Sequence, residues 1–296
     1  MTSTSQARQS ANTDESMEFS YGTRRTLIGA VLTVLAFIML PIAILPLVLV
    51  LGYVIIRGGS QFNLELFTGQ IPVALQKGGG VSPAIVGTLI VVGIASVLSI
   101  PFGILAAVYL SEFSSDRIVK WIRFATNILS GVPSIIVGLF AYGVIVASTN
   151  QFSAVAGGFA LAILMLPIVV RTADEALQLV PQEVRWASTG VGASNFQTVL
   201  QVVLPSAMGA IITGTTLAIA RAAGETAPLI FTVLFSQFWP TNIWEPIPTL
   251  SILVYNFATV PYENQQEIAW AASLILVLLV LITSILSRLA TLKSTY

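Results

Sequence analysis

Residues 26–56 read TLIGAVLTVLAFIMLPIAILPLVLVLGYVII, and these 31 residues include no charged side chain. An α-helix rises about 1.5 Å per residue, so the stretch is long enough to cross the roughly 30 Å hydrocarbon core of a bilayer. It is also much longer than the about 7 to 15 apolar residues of a signal peptide. The stretch therefore predicts a transmembrane helix near the start of the chain.

The composition of the whole chain indicates an integral membrane protein. Of its 296 residues 55% are hydrophobic and only 9% are charged, and the mean hydropathy is +0.89. Soluble proteins carry about 25% charged residues, so lipid must be the solvent for much of this surface. Thirteen basic and thirteen acidic residues cancel, which gives no reason to expect a nucleic acid partner. With no Cys and no His, the chain lacks thiolate nucleophiles, imidazole bases and the common zinc ligands.

Uncharged runs predict six transmembrane helices. One run, residues 124–170, is too long for a single helix and is divided by the polar residues 148–151. The first 23 residues are polar and predict a disordered cytoplasmic tail before a membrane domain that occupies residues 24–296. The predicted spans are about 26–56, 82–111, 124–147, 152–170, 206–236 and 268–287.

The distribution of basic residues predicts that both termini are cytoplasmic, because Lys and Arg are retained on that side. With the N-terminus inside, ten basic residues fall in inner segments and two in outer ones. The inner ones are Arg8, Arg24, Arg25, Arg117, Lys120, Arg123, Arg171, Arg185, Arg288 and Lys293. The outer ones are Arg57 and Lys77. The outer segment 237–267 is too short in its uncharged part to cross, so it is expected to lie on the membrane or dip into it.

Two charged residues interrupt the fifth predicted span. Arg221 lies near its midpoint, and Glu225 follows four residues later, so both side chains are expected on one helix face. A charge at mid-membrane is costly and by default marks a transport pathway, although an internal ion pair without a transport role is the alternative. Arg171 lies at the inner end of the fourth predicted span, where a snorkelling residue is an equally good interpretation.

The cytoplasmic segment at about 171–205 has the pattern of two short helices joined by a glycine turn. Gly190 and Gly192 supply the turn, and Ser194 with Gln197 fits a capping box at the start of the second helix. Such an element could dock into a groove on a soluble partner, or it could lie on the lipid surface. The sequence leaves both interpretations open.

This segment resembles the coupling motif of ABC-importer permeases, E-A-A-x3-G-x9-I-x-L-P. The matching residues, at the family spacing, are Ala187, Ser188, Gly192, Val202, Leu204 and Pro205. Trp186 stands where the family has its glutamate, and Glu183 lies three residues earlier. The resemblance implies that these residues receive motion from an ATPase, without the ionic contact that the missing glutamate makes.

Four further stretches resemble phosphate-importer permeases of the PstA type, and the likeness covers nearly all of the chain after the tail. They are residues 221–228 (RAAGETAP), 131–140 (GVPSIIVGLF), 166–171 (LPIVVR) and 79–87 (GGVSPAIVG). The resemblance implies a six-helix type I ABC importer permease in the bacterial inner (plasma) membrane. It also implies a PstC-like second permease, a PstB-like ATPase dimer and an external PstS-like phosphate-binding protein.

The chain has no G-x-x-x-x-G-K-[ST] phosphate loop, so ATP and Mg are expected to be used by partner subunits, with no cofactor bound here. A guanidinium stays charged and offers paired donors to phosphate oxygens, so Arg171 and Arg221 suit a phosphate path. A permanently bare cation would trap the anion. We therefore expect Glu225 to hold Arg221 when the path is empty, so that phosphate exchanges with a carboxylate.

Three other functions are compatible with parts of this pattern. An ion-coupled secondary transporter would use Glu225 as its proton carrier and need no ATPase. A membrane-embedded enzyme would need a nucleophile and a base, for which the chain offers only isolated Ser, Thr and carboxylates. A scaffold subunit without transport activity would tolerate joint replacement of Arg221 and Glu225 by apolar residues.

Overall fold

A computed structural model of the protein describes residues 24–292, and within that range every regular element is a helix. The tail predicted over residues 1–23 lies outside the described residues. The described chain divides into two compact units between Tyr53 and Val54. The first unit consists of most of helix α1, Arg24–Gly59, which includes Pro41 and Pro46. Its side chains from Leu27 to Leu51 are exposed, as expected of a helix whose solvent is lipid.

The second unit contains the remaining helices of the described residues. These are α2 (Leu64–Thr68), α3 (Ser82–Val108), α4 (Asp116–Gly131), α5 (Ser134–Ala141), α6 (Ala147–Thr149), α7 (Ala154–Gln178), α8 (Gln182–Gly190), α9 (Asn195–Thr198), α10 (Leu204–Gly224), α11 (Ala227–Ile230), α12 (Leu250–Thr259) and α13 (Glu263–Leu292). Three π-helical turns continue α3, α5 and α9, and they cover Tyr109–Phe113, Tyr142–Val146 and Val199–Val203.

Five helices of the described residues are long and apolar enough to cross a membrane, and a bent pair makes a sixth. The bent pair is α4 and α5, whose axes differ by 98°. The span predicted over about 124–147 corresponds to this bent pair. The break falls at Pro133, which is extended (φ −57°, ψ 134°) and has no backbone N–H to continue the helix.

The fourth helix is longer than the predicted span. Helix α7 continues eight residues past Val170, through the polar sequence RTADEALQ, and ends at Gln178. The boundary between a span at about 152–170 and a cytoplasmic segment from about 171 stays a prediction and falls within one continuous helix. Ala173, Ala176 and Leu177 are buried and extend the apolar face of α7; Arg171 and Glu175 are exposed, whereas Asp174 is buried as well.

The fifth span begins and ends earlier than the predicted 206–236. A single continuous helix runs from Asn195 through the π-helical turn Val199–Val203 to Gly224. Pro205 lies in the first turn of α10, directly after the π-helical turn, which accommodates the missing proline N–H without a break. The predicted second helix of the cytoplasmic segment is thus the beginning of the span itself.

Small residues bring α3 and α7 together at the centre of the second unit. A Cβ atom on Gly103 of α3 would lie 2.7 Å from Cγ1 of Val169 on α7, and a Cβ on Gly158 of α7 would collide with Ile94 of α3. Close backbone approach through small residues is how membrane helices gain packing contacts without a hydrophobic driving force. The α3–α7 pair therefore forms the densest contact of the bundle.

The segment 237–267, predicted to lie on the outer side, contains helix α12, which is too short to cross a membrane. Leu250, Leu253 and Phe257 are buried against α3 and α13. The backbone N–H of Leu250 donates to Oγ1 of Thr88 at 2.8 Å and so ties the start of α12 to α3. The segment enters the bundle, and α12 does not lie flat on its surface.

Candidate functional site

A cavity of about 370 Å³ brings together the two arginines that the sequence singled out. We call it the Arg221 cavity. Its walls come from the α4–α5 break, from α7 and from α10, and they include Ser130, Pro133, Ser134, Pro167, Arg171 and Arg221. No carboxylate lines it, so its two guanidiniums give the wall a positive charge. Such a wall is suited to a small anion with several oxygen atoms.

The break between α4 and α5 adds to this positive character. Ser134, the first residue of α5, lines the cavity beside Val132 and Pro133. The N-terminus of a helix carries a partial positive charge and backbone N–H groups without helical partners. The N–H groups of Ile136 and Val137 already donate to the Pro133 carbonyl, so the helix start contributes mainly through its dipole. The bend thus places a helix N-terminus beside two guanidiniums.

Arg221 and Glu225 form a loose ion pair. Nε of Arg221 lies 3.6 Å from Oε1 of Glu225, with the Arg221 side chain 62% exposed and the Glu225 side chain 19% exposed. The two side chains meet at the (i, i+4) spacing that the sequence indicated, although α10 ends at Gly224 and Glu225 is its C-cap residue. The carboxylate reaches the guanidinium from the irregular segment that follows. The pair is close enough for attraction but exceeds hydrogen-bonding distance.

Arg171 lies within α7, seven residues before its last residue, Gln178. Its Nε donates to Oε1 of Glu175 at 2.9 Å, and both side chains are about 60% exposed. Arg171 faces two cavities, because it also lines the one described next. Sequence reasoning missed Glu175, although its spacing of four residues on a helix is the signal that could have identified it.

A second cavity of about 370 Å³ lies further along α7, and we call it the Arg123 cavity. Its polar wall comprises Arg123, Thr126, Asn127, Arg171, Asp174, Glu175 and Gln178. Nε and Nη2 of Arg123 donate to the two carboxylate oxygens of Asp174 at 2.8 and 3.1 Å. The Asp174 side chain is only 7% exposed, while that of Arg123 is 45% exposed. This pair joins α4 to α7 across 51 residues of sequence.

The coupling motif begins on an exposed helix. Ala187 and Ser188 lie on α8, and Gly192 has φ +94°, a left-handed conformation that favours glycine. Oγ of Ser188 and Oγ1 of Thr198 are 2.9 Å apart and connect α8 to α9 across this turn. The predicted capping box is confirmed, since Ser194 accepts from the Gln197 N–H and Gln197 accepts from the Ser194 N–H.

The second half of the motif lies within the long fifth span. Val202 belongs to the π-helical turn, and Leu204 and Pro205 open α10. Val202 and Leu204 are half-buried, and Pro205 is exposed. The continuous helix that follows α8 and its turn therefore carries the second half of the motif at its beginning and Arg221 in its last turn.

A buried ion pair fixes α8 to the bundle, and sequence reasoning missed its role. Nη2 of Arg185 donates to Oε1 of Glu112 at 2.7 Å, and Nε donates to Oε2 at 3.3 Å. The same guanidinium donates to the carbonyls of Leu177, at 2.9 Å, and Val180 at the end of α7. The side chains of Arg185 and Glu112 are 15% and 9% exposed. One residue of α8 thus holds both the end of α3 and the end of α7.

Large apolar side chains are exposed at the tip of the coupling segment. Trp186 is 64% exposed, Val191 87% and Phe196 64%. Trp186 occupies the position of the missing motif glutamate, one residue after the buried Arg185. The tip therefore presents an apolar surface where the family motif has a carboxylate.

Comparison with known proteins identifies the class that this fold and site define. Residues 99–292 match the family model described as binding-protein-dependent transport system inner membrane component. That range includes both cavities and the complete coupling segment. The chain belongs to this class of membrane transport components.

Relatives narrow the family further. The PstA phosphate transport system permease protein of Haemophilus influenzae is 39% identical over 256 residues, covering 86% of this chain and 90% of that protein. The PstA protein of Yersinia pestis is 40% identical over 82% of each chain, and PstA 1 of Mycobacterium tuberculosis is 37% identical over 87% of this chain and 85% of its own. The chain belongs to the PstA family, which confirms the resemblance of its motifs.

Solved structures confirm the fold. An inward-facing structure of the MetNI methionine ABC transporter superposes with a TM-score of 0.62 at 17% identity, covering 72% of this chain and 95% of that one. An amino acid ABC transporter gives a TM-score of 0.54 at 20% identity, covering 72% of this chain and 92% of the other. The fold is that of a type I ABC importer permease. These comparisons give no support to the ion-coupled alternative.

Proposed function

We propose that this chain is the membrane-spanning permease subunit of an ATP-driven phosphate importer and forms half of the translocation path. The observation that carries the proposal is the Arg221 cavity, which joins Arg171, Arg221 and a helix N-terminus within a PstA-family fold. The assembly comprises a PstC-like second permease, a PstB-like ATPase dimer and a PstS-like external binding protein. The chain itself binds no cofactor, and its partners hydrolyse ATP with Mg.

The proposed location is the bacterial inner membrane, with both termini in the cytoplasm. The ten-to-two distribution of basic residues supports this orientation, because it leaves the coupling segment on the cytoplasmic side. The relatives are bacterial phosphate permeases, which supports the same membrane. In this orientation α8 faces the ATPase, and the segment between α11 and α13 faces the binding protein.

Phosphate passes through the Arg221 cavity as an anion exchanged between charged groups. Arg221 is 62% exposed and only loosely held by Glu225, so an incoming phosphate can displace the carboxylate without breaking a hydrogen bond. When phosphate leaves, Glu225 neutralises the guanidinium again. The site therefore avoids both an open cation trap and an unpaired charge in a low-dielectric region.

Force reaches this site through the coupling segment, whose proposed contact residues are Ala187, Ser188, Gly192, Val202, Leu204 and Pro205. The Ser188–Thr198 contact passes movement of α8 to α9, and the continuous helix from Asn195 to Gly224 carries it to Arg221. Arg185 passes the same movement to α3 and α7 through Glu112 and two backbone carbonyls. The exposed apolar tip meets the ATPase surface by packing in place of the missing motif glutamate.

Reconstitution tests the proposal. The chain is purified in mild detergent with the second permease and the ATPase, inserted into vesicles, and supplied with phosphate-loaded binding protein and ATP. The expected result is ATP-dependent uptake of phosphate, with no uptake of sulfate as a control. Uptake driven by a proton gradient without ATP, or uptake that persists after residues 182–193 are deleted, would contradict the proposal.

A further inference from the structure

The Arg123 cavity has features of a second anion site that the phosphate path described so far does not use. It adjoins the Arg221 cavity through Arg171, which lines both. Along α7 the Arg221 cavity spans residues 164–172 and the Arg123 cavity spans residues 170–178. This offset of six residues is about 9 Å along the helix axis at 1.5 Å per residue, in the direction of α8.

Arg123 retains donors for a ligand although it is paired. Asp174 engages its Nε and Nη2, while a guanidinium has five N–H donors in all. The Nη1 donors remain, and the side chain is 45% exposed in a cavity of about 370 Å³. The buried Asp174 fixes the orientation of the guanidinium, so a ligand meets a preorganised donor fork.

The two cavities differ in how firmly their own arginine is paired. Glu225 lies 3.6 Å from Arg221, beyond hydrogen-bonding distance, whereas Asp174 binds Arg123 through two hydrogen bonds of 2.8 and 3.1 Å and so neutralises more of its charge. An anion is therefore held more weakly in the Arg123 cavity than in the Arg221 cavity. A site of lower affinity on the side of the coupling helix is suited to release.

We propose that the Arg123 cavity is a second phosphate station, in which Arg123 receives the anion from the shared Arg171 before it leaves towards the cytoplasm. This inference rests on the proposed phosphate import. Arg171 can turn from one cavity to the other because its bond to Glu175 is exposed and readily exchanged. Asp174 stays bound to Arg123 throughout, so no buried charge is left unpaired.

The absence of cysteine from the sequence allows a direct test. Asn127 lines the Arg123 cavity, so Asn127→Cys places the only thiol of this chain there. The variant is assembled with cysteine-free partners in vesicles and treated with the anionic reagent sulfonatoethyl methanethiosulfonate. During ATP-driven import, phosphate is expected to slow modification several-fold. The matched control is Lys120→Cys, an exposed position of α4 that does not line the cavity, where phosphate is expected to have no effect.

A double variant of the Arg123 cavity distinguishes a loss of anion binding from a loss of folding. Arg123→Gln combined with Asp174→Asn keeps a hydrogen-bonded pair and leaves no buried charge unpaired. In the Asn127→Cys background this double variant is expected to assemble, to lose the protection by phosphate and to import about tenfold more slowly. Protection and import at unchanged rates in the double variant would overturn the proposal.

A second outcome is equally decisive and separates this inference from the proposed function. If phosphate is imported while Asn127→Cys is modified at the same rate with and without it, the Arg123 cavity is not a station, and the phosphate importer stands. If the complete assembly imports no phosphate at all, the proposed function itself fails, and the station fails with it.

Discussion

Two ion pairs of this chain are built in opposite ways. The Arg185–Glu112 pair is buried, has N–O distances of 2.7 and 3.3 Å and is reinforced by two backbone carbonyls. The Arg221–Glu225 pair is 3.6 Å long, and its arginine is 62% exposed. The geometry of the Arg185–Glu112 pair is that of a stable structural contact. The geometry of the Arg221–Glu225 pair is that of a weak contact that a ligand can replace. The comparison shows where the molecule holds its helices and where it leaves a charge available.

The largest effect is expected from breaking the buried pair. Arg185→Met removes the guanidinium from the largely buried Glu112, which keeps only the hydrogen bond from the Ser111 hydroxyl, and loss of one member of a buried ion pair costs about 3–5 kcal/mol. We expect the assembled complex to be lost or to melt at a markedly lower temperature. Thermal unfolding in detergent measures this, with Arg117→Met, at an exposed position of α4, as the matched control. Equal melting temperatures of the two variants would show that the Arg185–Glu112 pair does not stabilise the complex.

The second largest effect is expected from removing the positive charge of Arg221. We expect Arg221→Gln to assemble normally, because the side chain is mostly exposed, but to import phosphate about a hundredfold more slowly. The estimate corresponds to losing paired charge-assisted hydrogen bonds to the anion. Uptake of labelled phosphate in vesicles measures the rate, and Lys120→Gln is the charge-matched control. Import at the wild-type rate would remove Arg221 from the path.

A smaller effect is expected from Glu225→Gln. Without the carboxylate, phosphate is displaced less readily from Arg221, so turnover is expected to fall about fivefold, in line with the modest strength of an exposed pair. The concentration of loaded binding protein that gives half-maximal uptake is expected to fall as well. Glu225→Asp retains the charge and should recover part of the turnover. Wild-type turnover in an assembled Glu225→Gln complex would contradict the exchange of phosphate with a carboxylate.

The smallest effect is expected when the motif glutamate is restored. Trp186 is 64% exposed, so Trp186→Glu should change the free energy of unfolding by no more than about 0.5 kcal/mol. Import should stay within twofold, provided that the neighbouring Arg185 keeps its bond to Glu112. The ratio of ATP hydrolysed to phosphate imported measures this. A large rise in that ratio would assign the contact with the ATPase to the Trp186 side chain and not to the helix that carries it.

The fold was largely predictable because each span depends on local composition. Runs of uncharged residues identified six crossings, and the motif around Ser194 identified the turn and cap of the coupling segment. The extension of α7 to Gln178 was missed because Arg171, Asp174 and Glu175 are charged. Only the burial of Ala173 and Leu177 by other helices shows that this sequence continues the helix.

The site was predictable only in part. Arg171 and Arg221 could be selected because charges in apolar runs are conspicuous, and the structure brings both to one cavity. The partners of Arg123 and Arg185 are 51 and 73 residues away in sequence, and no periodicity in a single sequence identifies such pairs. The break at Pro133 was equally ambiguous, because α7 includes Pro167 without a comparable bend. Tertiary contacts decide which proline interrupts a helix.

The close approach of α3 and α7 limits how the importer can change shape. Gly103 of α3 lies against Val169 of α7, and Gly158 of α7 lies against Ile94 of α3. Each helix thus receives a branched side chain of the other at a glycine. Sliding one helix along its neighbour would drive a valine or an isoleucine into main-chain atoms. We therefore expect α3 and α7 to move together as one rigid unit. The conformational change that alternates access to the two sides then has to take place at less tightly packed contacts, such as the bend between α4 and α5.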